Sequence, residues 1–124
     1  MTRDEALAFA NHWAEAWNRR AMETVLEHFH DDIVFTSPRA LAVVGAATVR
    51  GKVALRDYWT RALTQAGNLV FTVDRAVWDP ERRELAVIYT ADRNGQTKRV
   101  SENMIFDESG LIVTAEVFHG VPAL

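Results

Sequence analysis

The last third of the chain leaves few folds open. Three strand-like runs, Leu85–Ala91, Arg99–Phe106 and Leu111–Phe118, follow one another with only turns between them. Asp92-Arg-Asn-Gly95 and Asp107-Glu-Ser-Gly110 separate them, and Asn-Gly and Ser-Gly supply the positive φ that tight hairpins require. The pattern predicts an antiparallel meander. A longer run, Leu69 to Trp78, precedes it across the polar turn Asp79-Pro-Glu-Arg-Arg83.

Upstream, the periodicity changes to that of helices. Thr2 and Glu5 have the spacing of a capping box, and Ala6, Ala10, Trp13, Ala14 and Trp17 recur at helical intervals, predicting an amphipathic first helix that ends near Asn18-Arg19-Arg20. Met22, Val25, Leu26 and Phe29 mark a short second helix, which His30-Asp31-Asp32 break before the strand Ile33-Val34-Phe35. Pro38 stops that strand. Arg39 to Arg50 has no firm period and reads as an irregular or briefly helical connection over a pocket mouth. Val53, Leu55, Tyr58, Trp59, Ala62 and Leu63 predict a third helix from Lys52, closed by Gly67.

Helices segregated from four long antiparallel strands define an α+β domain. A strongly curved sheet wrapped around the N-terminal helix would enclose a conical cavity. The predicted unit is one domain spanning residues 1–124, since 124 residues, 48% of them hydrophobic, suit a single core. Along Leu69–Trp78 both faces read as apolar: Leu69, Phe71, Val73 and Val77 on one, Val70, Ala76 and Trp78 on the other. The helices cover only the concave side, so a homodimer through the convex face is expected.

A net charge of −3 without a basic stripe argues against nucleic acid and anionic membranes as partners. The absence of cysteine removes disulfides, thiolate chemistry and cysteine metal sites. Met1-Thr-Arg-Asp-Glu5 opens no signal-peptide core and no run approaches the roughly 20 apolar residues of a membrane span, so a cytoplasmic protein is expected.

Two ionisable groups stand out on the meander. Glu102 shares a strand face with Met104 and Phe106, and His119 shares one with Ala115 and Val117. If the Met104 and Val117 faces both look inward, Glu102 and His119 meet in the cavity as a candidate general acid/base pair. The alternatives are a structural ion pair, or His119 in water at a frayed strand end. Trp13, Trp17, Tyr58, Trp59 and Tyr89, with Ser37, Met104 and Val117, are the candidate wall for a small hydrophobic ligand, though core packing would explain the rings equally well. His28 and His30 flank Phe29, but residues two apart on a helix do not share a face, so no metal is predicted. Ser37 lacks the surroundings of a nucleophile, and a lone glycine after Arg50 is a weak anion-site signal. No cofactor motif is present.

Trp17-Asn18, Phe29-His-Asp-Asp-Ile-Val-Phe-Thr-Ser-Pro38, Arg50-Gly51 leading into Tyr58-Trp59, and Met104-Ile-Phe-Asp-Glu-Ser-Gly110 occur in this order across nearly the whole chain. In this the chain resembles the nuclear transport factor 2-like superfamily, in particular its SnoaL-like and ketosteroid-isomerase-like branches. The resemblance implies the cone-shaped fold and a pocket for an isomerase, cyclase or hydratase, or for a binding or dimerisation module that turns nothing over. Where the isomerases place a catalytic aspartate before the strand-ending proline, this chain has Ser37, and a hydroxyl is a poor base at neutral pH. The matches to their oxyanion-hole tyrosine and aspartate are Trp13 and Glu102. His119 falls at a pocket-lining position.

Overall fold

A computed structural model describes residues 1–122. The capping box closes the start of α1 (Arg3–Asn18): Glu5 N–H donates to Thr2 Oγ1 at 3.1 Å, and Thr2 N–H to Glu5 Oε1 at 2.9 Å. Ala6, Ala10, Trp13, Ala14 and Trp17 form its buried stripe. Asn18 then ties the helix end to the sheet, its side chain donating to Phe71 O at 2.9 Å and accepting from Phe71 N at 2.7 Å. After α1 come α2 (Met22–Leu26), β1 (Phe29–Thr36), α3 (Pro38–Val44), β2 (Thr48–Arg50) and α4 (Lys52–Ala66). The chain continues through β3 (Leu69–Asp79), β4 (Glu84–Arg93), β5 (Gln96–Phe106) and β6 (Ile112–His119).

The six strands form one curved, unclosed sheet in the order β2-β1-β6-β5-β4-β3. The meander pairs as predicted, with Arg93 opposite Gln96 across a two-residue Asn94-Gly95 turn in which both residues have positive φ, 55° and 87°. Glu102 stands between Val87 on β4 and Val117 on β6.

Two local expectations are corrected and a third is sharpened. The second helix ends at Leu26, and Phe29 opens β1; His30-Asp31-Asp32 do not break the chain but lie inside that strand, where the register to β6 shifts between Phe29 and Val34. The 39–50 segment, expected as an irregular or briefly helical connection, is the short helix α3 followed by the strand β2. Ser37 caps α3 by accepting the Arg39 N–H at 3.1 Å, Pro38 follows at the first helical position, and Gly45 at φ 79° ends the helix. Finally, β1 runs parallel to β6, so the sheet is antiparallel everywhere but at that one junction.

A bulge in β3 explains why both its faces read as apolar. The pairing jumps between Val73 and Arg75, leaving Asp74 as the extra residue and resetting the alternation. Phe71 and Val73 before it, and Ala76 and Trp78 after it, therefore all pack against the core, while Val70 and Val77 are exposed. The convex face is mixed rather than apolar: Arg99 crosses it, bonding Asp74 Oδ2 at 2.6 Å and Thr90 Oγ1 at 3.1 Å.

Candidate functional site

The concave sheet, α1, α3 and α4 enclose a cavity of about 510 Å³, open at one end. That is ample for a small organic ligand. Its wall is aromatic. Trp17 and Trp59 meet edge to face with centroids 4.7 Å apart, Phe35 sits 5.7 Å from Trp59, and Phe71 packs on Tyr89 at 4.7 Å.

Of the ten residues expected at the site, eight line this cavity: Glu102, His119, Trp17, Ser37, Tyr58, Trp59, Tyr89 and Val117. Trp13 and Met104 do not. Trp13, 1% exposed, lies behind the wall, stacked on Phe71 at 5.6 Å and edge-on to Tyr89 at 5.1 Å, with its indole N–H unpartnered. Met104 is fully buried under the sheet between Leu85 and Ala115. Helical spacing places Trp13 and Trp17 one turn apart on the same helix side, but the cavity does not reach so far down the cone.

Glu102 is the chemically unusual group. It is 6% exposed, and among the described residues no side chain or backbone group hydrogen-bonds its carboxyl. Burial alone pushes its pKa up to about 8, so the acid is neutral through most of the physiological range. Tyr58 and Tyr89 lie close enough to sense its charge. Burial pushes the Tyr58 phenol up to about 12, against the pull of the Ser37 side chain, and burial also raises Tyr89, with Glu102 adding to it. Three proton-bearing oxygens thus face one apolar space.

His119 projects from the same sheet face but stands at the mouth. Strand alternation and the pairing of Val100 with His119 put it diagonal to Glu102, a Cα separation of roughly 7–8 Å. The two are not hydrogen-bonded. His119 Nδ1 lies 3.5 Å from Lys98 Nζ instead, and partial burial, then Lys98 and Arg39, hold its pKa below the ordinary value. The imidazole is therefore biased towards its neutral form.

Sequence reasoning missed Phe35 and Phe71 as lining residues, and Arg39, Arg93 and Lys98 at the mouth. Counting back by twos from Glu102 would have found Lys98. Arg39 depends on the unrecognised cap at Ser37. Away from the cavity, His28 packs edge-on against Phe9 at 5.0 Å and His30 accepts the Asp32 N–H at 2.9 Å. Among the described residues no cluster of three or more His, Asp or Glu could hold a metal, and no helix is long and apolar enough to cross a membrane.

The site is thus an aromatic-walled cavity with one buried acid, set in a cone-shaped α+β domain. The SnoaL-like domain family matches residues 10–113, and the chain belongs to that family. It is similar to a SnoaL-like protein of unknown function from Burkholderia thailandensis, at 24% identity and a TM-score of 0.86, covering 97% of this chain and 98% of that one. A steroid delta-isomerase from Pseudomonas aeruginosa matches at 22% identity and a TM-score of 0.70, covering 92% and 78%. A computationally designed 17-OHP binder matches at 18% identity and a TM-score of 0.68, covering 93% and 96%. At these identities the likeness carries the fold alone. No curated protein matches the sequence.

Proposed function

We propose that the cavity binds a small hydrophobic molecule bearing a carbonyl or similar acceptor, and that Glu102 moves a proton to or from that oxygen. The carrying observation is an unpaired, buried carboxyl facing an open apolar cavity. A neutral Glu102 donates its O–H to the ligand oxygen, and the hydroxyls of Tyr58 and Tyr89 are close by. Where the ligand has an acidic C–H, neutral His119 accepts that proton while Glu102 protonates the oxygen, giving an enol. Return of the His119 proton to another carbon, and of the enol proton to Glu102, completes an isomerisation with both residues restored. Cyclase and hydratase chemistry would draw on the same two proton carriers.

The test is deuterium exchange into a panel of cyclic enones, followed by NMR. Glu102→Gln should slow exchange by about 10²–10⁴-fold. Equal rates in parent and variant would remove Glu102 from proton transfer. The second reading is binding without turnover, favoured by the absence of any hydrogen bond between Glu102 and His119. Under that reading Glu102→Gln changes affinity and no exchange occurs in either protein.

A homodimer is also proposed. Val34, Ile105 and Phe118 line a shallow groove on the convex face, and Phe118 is exposed.

A further inference from the structure

We propose that the ligand is an amphipathic anion, its apolar body against the aromatic wall and its carboxylate, or an equivalent anionic end, held at the mouth by Arg39, Arg93 and Lys98. This rests on the reading of the cavity as a small-molecule site.

Three separate elements bring these cations together. Arg39 comes from the first turn of α3, Arg93 from the end of β4, and Lys98 from β5, and all three line the same cavity. The alternation that turns Glu102 inward turns Lys98 inward too, and Arg93 faces inward opposite Leu69, another lining residue.

No carboxylate among the described residues pairs with any of the three. Elsewhere carboxylates are plentiful: the chain is net negative, and Arg19, Arg56, Arg61, Arg75, Arg82 and Arg99 each lie within ion-pair distance of Asp or Glu. Among the described residues Arg3, Arg20, Arg50, Lys52 and Arg83 likewise have no carboxylate within ion-pair distance, but at the mouth three such cations line one cavity. Its cations act on one another instead, since Arg93 adds to the burial that lowers the Arg39 guanidinium, and Lys98 and Arg39 both disfavour charge on His119. An incoming anion relieves that repulsion, and two guanidinium forks match the geometry of a carboxylate. Glu102, the only carboxyl among the described residues that line the cavity, is buried and mostly neutral at pH 7, so it does not repel such a ligand.

Trp17 and Trp59 line the cavity, so their fluorescence reports occupancy. Decanoate, decanol and decyltrimethylammonium share one apolar chain and differ in the charge of the head. Decanoate should bind about tenfold tighter than decanol, and decyltrimethylammonium weakest, with only decanoate binding falling at high ionic strength. In Arg39→Gln/Lys98→Gln, decanoate should drop to the affinity of decanol while decanol is unchanged. Decanol binding as tightly as decanoate overturns the inference and leaves the cavity reading standing. So does decanoate affinity that survives in Arg39→Gln/Arg93→Gln/Lys98→Gln with parental melting and near-UV circular dichroism. Failure of all three ligands to bind the parent overturns both.

Discussion

Glu102 concentrates the chemistry because its carboxyl is buried and has no hydrogen-bond partner among the described residues. Its folded-state pKa, about 8, lies above the ordinary 4.5, so between those values the folded chain keeps a proton that the unfolded chain sheds. Stability is then greatest below pH 4.5 as far as this group is concerned, falls as pH rises towards 8, and levels off above it. Thermal melts from pH 5 to 9 should show the parent losing stability, on the order of a few kcal/mol, relative to Glu102→Gln, which has no such titration. Parallel curves would mean that the carboxyl ionises as freely as in water. Trp13 carries the opposite lesson. It packs behind Phe71 and Tyr89, so Trp13→Ala should cost about 3–5 kcal/mol in denaturant unfolding, with any ligand effect following from the weakened wall. Both residues were visible in the sequence as candidates, but only depth along the cone separates lining from core, and periodicity carries no information on depth.

At the scale of elements, what could be read followed the strength of local signals. The capping box of α1, the Asn94-Gly95 turn and the alternation of β4 to β6 each encode their structure within a few residues, and each formed as expected. The parallel β1–β6 junction depends on residues about eighty positions apart, which no local pattern records. The bulge at Asp74 was likewise hidden, because two apolar registers summed over one strand look like two apolar faces. Pro38 was read as the end of a strand and the stretch after it as irregular or briefly helical, while the Ser37 cap and the Gly45 stop that bound α3 were not recognised. Since that cap sets the turn from which Arg39 reaches the mouth, Ser37→Ala should cost about 1 kcal/mol in unfolding and weaken binding of a carboxylate ligand more than of its alcohol. Equal losses for the two ligands would separate Arg39 from the cap.

For the molecule as a whole, a cone needs cover on its concave side: α1 and α4 bring Trp13, Trp17 and Trp59, which pack face and edge on Phe35, Phe71 and Tyr89 of the sheet. The convex side offers less apolar area than the sequence suggested, because the bulge in β3 turns Ala76 and Trp78 inward and the Arg99–Asp74 pair crosses the outer face. The proposed dimer therefore depends on the groove around Phe118. Sedimentation should show a dimer for the parent and a monomer for Phe118→Glu with unchanged melting; a monomeric parent would end that proposal. The proposed chemistry turns on a neutral acid inside the cone. Infrared difference spectra between the parent and Glu102→Gln, followed against pH, read that acid's C=O stretch directly. The prediction is a protonated carboxyl persisting to a midpoint near pH 8, and a midpoint near 4.5 would contradict it.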